Sequence, residues 1–171
     1  MPFFSLKCET NALNTLIVSV VLLSLSSYPL PSSGMGGEAK LGMAGTWQQN
    51  NERCVPPPRN KSYSYKMTVE LSDNILRVHI TSNNGHGERQ NAFTYEIGGK
   101  ELVYIGSDGD EFHARVHWDG DALVFDIVEH EGVRLIRSRD TWTLIDSGKS
   151  LQRVRESPDE RSRAIYVLER I

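Results

Sequence analysis

A chain of 171 residues, 39% hydrophobic and 24% charged, has the composition of one globular domain and excludes wholesale disorder. A formal net charge of -3 removes the electrostatic pull on which nucleic-acid binding depends. Only two cysteines are present, Cys8 and Cys54, so a disulfide-stapled scaffold is excluded as well.

The chain begins with an apolar run over residues 16–23. It is shorter than the ~20 residues a membrane helix needs, but it suits the core of a signal peptide. Lys7 supplies the positive flank, and small residues follow at Ser24, Ser26, Ser32 and Gly34. The expected organisation is a signal peptide at 1–34, a Gly/Ser-rich linker at 35–43 and one domain at 44–171. The product is then secreted or periplasmic with no membrane span after cleavage, or anchored if the leader stays. Cys8 precedes the apolar run, which is the wrong side for lipoprotein acylation, and leaves with the leader. Cys54 remains as a free loop cysteine.

From Gly45-Thr46-Trp47 onward, short alternating segments are separated by turns. The first strand carries Trp47, and a loop over 50–60 follows with Pro56-Pro57-Pro58, which cannot donate ladder hydrogen bonds. Tyr63, Tyr65, Met67, Val69 and Leu71 alternate with polar residues, and Ser72-Asp73-Asn74 turns the chain. Leu76, Val78 and Ile80 then face opposite to Arg77 and His79. A flexible connection at 83–87 leads into Phe93, Tyr95 and Ile97. Gly98-Gly99 predicts a two-residue hairpin turn. Leu102-Val103-Tyr104-Ile105, apolar on both faces, predicts a central or covered strand, and Asp108-Gly109 turns into the next.

Phe112, Ala114, Val116 and Trp118 form one face of that next strand. A turn at Asp119-Gly120 sets Trp118 opposite Asp121, Val116 opposite Leu123, Ala114 opposite Phe125 and Phe112 opposite Ile127. On the outer face the same register sets His113 opposite Asp126 and Arg115 opposite Val124. Further on the phase shifts between Leu135 and Ile136, Trp142, Leu144, which predicts a bulge at 135–137. Asp146-Ser147-Gly148-Lys149 turns into a strand at 151–155. Ser157-Pro158-Asp159-Glu160 has the form of a helix capping box, so one helical turn is expected before a closing strand at 165–168.

About ten strands result, and a meander of that length closes or folds over to hide its edges. The fold class is therefore all-β, an antiparallel up-and-down barrel. Gly45-Thr46-Trp47 with its Pro-rich loop resembles the opening motif of lipocalins and related calycin barrels. In those proteins the tryptophan packs across the closed end. Together with Trp118-Asp119-Gly120-Asp121-Ala122-Leu123-Val124, Trp142-Thr143-Leu144 and Gly148-Lys149-Ser150-Leu151, the set resembles exported bacterial lipocalin-like domains of uncharacterised function. That resemblance covers residues 41–171 and implies fold and export. It makes Gly45 and Trp47 structural residues.

A barrel of this size either fills its interior with side chains or encloses a small ligand. The aromatic residues Tyr63, Tyr65, Phe93, Tyr95, Phe112, Trp118 and Phe125 are the candidate ligand-binding set, stacking on an apolar or planar molecule. His113, His117 and Asp126, with His79 on a neighbouring strand, have metal-ligand chemistry. They fall on the solvated face and match no closed zinc spacing, so they are read as cross-strand pairs and no metal or other cofactor is assigned. No nucleophile motif, phosphate loop or C-x-x-C occurs. Asn60-Lys61-Ser62 fits a glycosylation sequon, which matters only in a eukaryotic secretory pathway. Arg134, Arg137, Arg139, Arg153, Arg155, Arg161, Arg163 and Arg170 are read as a solvated face. The expected function is binding of a small hydrophobic or aromatic ligand without catalysis. The alternative is an envelope protein-interaction module that uses the Arg-rich C-terminal strands.

Overall fold

The computed structural model describes residues 40, 42–60, 62–83, 85, 87–106, 109–159 and 161–171. The predicted signal segment and the first part of the linker lie outside the described residues. The remainder forms β1 (Gly45–Gln49), β2 (Ser64–Ser72), β3 (Ile75–Asn83), β4 (Glu88–Glu96), β5 (Leu102–Ile105), β6 (Glu111–Asp119), β7 (Ala122–Glu131), β8 (Arg134–Ile145), β9 (Ser150–Ser157) and β10 (Ser162–Arg170). All belong to one antiparallel sheet, in the order β4-β3-β2-β1-β10-β9-β8-β7-β6-β5.

The first and last strands are therefore neighbours, Trp47 pairing with Arg170. β4 and β5, consecutive in the chain, are the two edges. The sheet curls into a nearly closed barrel, drawn together at one end where Ile97, just past β4, bridges Val116 of β6 and the Gly98 N–H donates to the Val116 carbonyl at 2.7 Å. Gly98-Gly99 is thus not a hairpin turn. It is the corner at which the chain leaves one edge and crosses to the other, since Ile97 and Gly98 are engaged by Val116 of β6 and not by a returning β5. β5 pairs with β6 on one side and is the sheet's last strand, so it is neither central nor covered. Leu102 and Tyr104 turn inward, while Val103 and Ile105 stand 48% and 63% exposed on the outside.

Three further expectations change. The β6–β7 turn is Gly120-Asp121, with Asp119 opposite Ala122, so Val116 faces Phe125 and Ala114 faces Ile127. Gly120 takes φ +59 at the first central position, where a II′ hairpin wants glycine. The register differs from the predicted one by two residues. A slip of two preserves which face each side chain occupies, and the apolar assignments survive it. No bulge interrupts β8, since the pairing with β7 runs unbroken from Leu123–Trp142 to Glu131–Arg134. Leu135 instead points outward, 45% exposed. At the capping-box sequence there is no helical turn among the described residues; Ser157 pairs with Ser162 across a tight β9–β10 turn.

Inward residues pack most densely at the end that carries the β2–β3, β6–β7 and β8–β9 turns. Trp47, Met67, Leu76, Leu123, Leu151 and Leu168 are wholly buried there. Met43, at the end of the predicted linker, joins them and accepts a 3.0 Å hydrogen bond from the Trp47 indole. The Arg170 guanidinium lies 4.2 Å above the Trp47 ring and donates to the carbonyls of Gly42 and Ala44. It also fills the space beside Gly45, whose φ of +139 favours glycine in any case. The G-x-W strand thus closes the barrel as the resemblance implies.

Candidate functional site

Toward the opposite end the apolar filling stops. A cavity of about 300 Å³ lies in the barrel, walled by Tyr65 of β2, Tyr95 of β4, Phe125 of β7 and Trp142 of β8. The rings form a continuous chain. Trp142 leans on Phe125 with centroids 4.5 Å apart, and Phe125 meets Tyr95 edge-on at 5.3 Å. Phe93 then packs on Tyr104 at 4.9 Å, and Tyr104 stacks on Phe112 at 5.2 Å. Such offset and edge contacts are the arrangements aromatic quadrupoles favour, and they leave ring faces turned to the space between them.

A charge pair stands among these rings. Arg153 donates to Asp140 Oδ2 and, at 2.8 Å, to the Tyr65 hydroxyl. Its guanidinium also lies 4.9 Å from the centre of the Trp142 ring. The Arg153 and Asp140 side chains are only 15% and 5% exposed. Strand register places them: Trp142 pairs with Arg153 and Asp140 with Arg155, so Arg153 and Asp140 are inward diagonal neighbours on β9 and β8. Burial works against the arginine's charge, but Asp140 and Tyr65 outweigh it and hold the pKa above its ordinary value. A pair that cancels its own charge can be kept inside where a lone ion would not be.

Three buried polar atoms on these cavity residues have no protein partner: Asp140 Oδ1, Trp142 Nε1 and Arg153 Nε. They amount to one acceptor and two donors. Burial also raises the phenol pKa of Tyr63, Tyr95 and Tyr104, so their hydroxyls remain neutral throughout the physiological range. The cavity therefore sets aromatic rings beside polar groups: the Arg153–Asp140 pair cancels its own charge, and Arg155 adds a cation on the side shared with the gap.

A second, wider space of about 710 Å³ lies between the separated edges β4 and β5. It shares Phe93, Tyr104, Ile127 and Arg155 with the first, so the two form one path from the interior to the gap.

Of the predicted aromatic set, Tyr63, Tyr65, Phe93, Tyr95 and Phe125 line the inner cavity, and Phe112 lines the space at the gap. Trp118 lines neither; it packs against the core with the Lys40 ammonium 5.1 Å from its ring centre. Arg153 and Arg155 do not belong to a solvated face, because both line the cavity. The signal was present in β9, where both share the odd phase of buried Leu151. Asp140 likewise shares the even phase of Ile136, Trp142 and Leu144. Outside the barrel His113 and Asp126 are not partners. His113 faces Val128, and Asp126 instead takes Arg139 at 2.7 Å and His117 at 3.6 Å. Cys54 is a buried free cysteine, its thiol 3.2 Å from the Asn50 carbonyl.

No family model and no curated protein matches the chain. Solved structures do. A "REP1-NXSQ fatty acid transporter" has a TM-score of 0.54 at 13% identity, covering 77% of this chain and 97% of its own. Lipid binding protein 8 of Caenorhabditis elegans has a TM-score of 0.56 at 11% identity, covering 77% and 96%. A secretory abundant heat soluble protein from Ramazzottius varieornatus has a TM-score of 0.57 at 11% identity, covering 76% and 96%. At these identities the likeness is one of fold: a lipocalin-like, calycin-type barrel.

Proposed function

We propose that this domain is an exported, non-catalytic carrier that holds one small amphipathic molecule inside its barrel. The molecule has an apolar or aromatic body and a polar end. The observation that carries this reading is the aromatic-walled cavity with a self-neutralised ion pair at one spot. The rings supply apolar contact area, and the few convergent polar groups orient the ligand, as in small-molecule sites generally. Nothing in the cavity pairs a nucleophile with a base, so binding is the activity assigned. The fatty-acid and lipid binding named for the similar barrels supports a hydrophobic ligand. The outward arginines give the interaction-module alternative little support. Arg134, Arg137, Arg139 and Arg163 each face a carboxylate, so those four charges are locally balanced.

Trp142 lines the cavity and serves as the reporter. Titration of the purified protein with an apolar naphthalene dye should quench or shift tryptophan emission and saturate at one dye per chain. Competition with a long-chain alcohol should release the dye. Absence of saturable uptake across dyes, long-chain alcohols and fatty acids overturns the carrier reading. Export is tested separately, by N-terminal sequencing of the protein recovered outside the cytoplasm. A start near residue 35 is expected, and a cytoplasmic product retaining Met1 would remove that part.

A further inference from the structure

The corrected β6–β7 register assembles a group that the sequence reading did not contain. Glu111 lies directly opposite His130, and His113 follows two residues along the same outer face of β6. One ligand atom from each of Glu111, His113 and His130 lies within 4.8 Å of the others. The two imidazoles stack with centroids 4.7 Å apart. His113 Nε2 is 2.8 Å from Glu111 Oε1, and its other nitrogen, Nδ1, is 2.8 Å from Glu101 Oε2. Glu101 thereby fixes the ring, while its second oxygen, 3.5 Å from Arg115 Nε, is held from the other side.

We propose that Glu111, His113 and His130 form a surface site for a divalent transition-metal ion of the zinc or copper kind, with Glu101 as the carboxylate that orients His113. Two imidazole nitrogens and one carboxylate oxygen suit those ions, whereas calcium and magnesium prefer all-oxygen shells. A carboxylate accepting the far N–H of a ligating histidine is the usual outer-shell arrangement; with Nδ1–H held by Glu101, the ion displaces the proton that Nε2 shares with Glu111, and that proton leaves to solvent. Ligands of one tetrahedral ion sit roughly 3.3 Å apart. His113 Nε2 and Glu111 Oε1 therefore need to separate by about half an ångström, and the His130 nitrogen, within 4.8 Å of them, to draw in by up to about 1.5 Å, which side-chain rotation on two strands can supply. Three protein ligands leave a fourth position for water or a partner's side chain. It lies on the outer face, and its success or failure is independent of ligand binding in the barrel.

The test uses tag-free protein, stripped with chelator and titrated with zinc chloride by calorimetry, with melting temperature as a second readout. One ion per chain should bind saturably and raise the melting temperature. His113→Ala or His130→Ala should weaken binding by tenfold or more. Glu101→Gln should weaken it about tenfold while leaving every metal ligand in place. His117→Ala, on the same face but paired with Asp126, should bind as the parent does. Unchanged circular dichroism in each variant excludes unfolding as the cause. The proposal is overturned if the parent shows no saturable binding at sub-millimolar zinc. It also falls if His130→Ala or Glu101→Gln binds like the parent, or if His117→Ala loses the ion.

Discussion

Two arginines in this barrel lie over tryptophans, and their surroundings differ in a telling way. Arg170 covers Trp47 at the closed end and spends its donors on the carbonyls of Gly42 and Ala44. Arg153 covers Trp142 in the interior, and its donors go to a buried carboxylate and a phenol. The first is a lid with water on one side, where a guanidinium needs no counter-charge because solvent supplies its hydration. The second is surrounded by rings, and without Asp140 its charge would be uncompensated. The closed end is thus built for stability by filling space. The cavity end holds polar groups that cost stability and leave hydrogen-bonding capacity over, on which the proposed ligand site rests.

Substitutions can break this contrast or sharpen it. The largest effect belongs to the filled end. Trp47→Ala should cost about 3–5 kcal/mol in urea unfolding, since no neighbour can collapse into the space left by a wholly buried indole. Asp140→Ala comes next, at about 3 kcal/mol, because it strands the Arg153 charge. Removing both partners, as Asp140→Leu with Arg153→Met, should return stability to within ~1 kcal/mol of the parent. The double variant should still take up apolar dye but lose its preference for a ligand with a polar end. If it were as unstable as Asp140→Ala alone, the pair would not be the self-cancelling unit described.

Arg170→Ala should cost about 1–2 kcal/mol, the sum of an exposed cation–π contact and charge-assisted hydrogen bonds, with dye affinity unchanged. Arg139→Ala removes an exposed partner of Asp126 and should change unfolding free energy by less than about 1 kcal/mol. The smallest effect is on pH dependence. Hydrogen bonds from Ser150 and Arg53 hold the Asp146 carboxyl below its usual 3.8. A group whose pKa is depressed on folding contributes stability above its unfolded pKa and loses it as pH falls through the folded value. Asp146→Asn and the parent should therefore have acid-unfolding curves whose separation narrows only below about pH 4.

Much of the architecture was legible in local pattern. The alternation of Tyr65, Met67 and Val69, or of Leu76, Val78 and Ile80, allows one inward face, and those residues occupy it. Even the β6–β7 register, wrong by two residues, kept Phe112, Ala114 and Val116 on the correct side, because strand parity repeats every two. Gly98-Gly99 was illegible for a physical reason: a pair of glycines permits a hairpin and a crossover alike, and only the long-range contact of Ile97 and Gly98 with Val116 of β6 selects the second. Arg153 and Arg155 were misplaced, and Asp140 was passed over, because charge argued for water while phase argued for the interior. Phase prevailed since Arg153 and Asp140 meet across adjacent strands. The outer Glu111–His130 pair was missed through the same two-residue slip, which is harmless to an apolar face but decisive for which side chains touch.

Residue order alone determined that the chain forms short antiparallel strands with aromatic and aliphatic side chains on one face, because steric alternation and turn chemistry act within a few residues. Closure decided the rest. Only when β1 meets β10, and the end of β4 reaches β6 at Val116, do residues far apart in sequence enclose a cavity. Tyr65 and Arg153, 88 positions apart, share a hydrogen bond for that reason alone. Neither the cavity nor its neutralised charge pair has a local cause, since both arise from side chains brought together by the curl of the whole sheet.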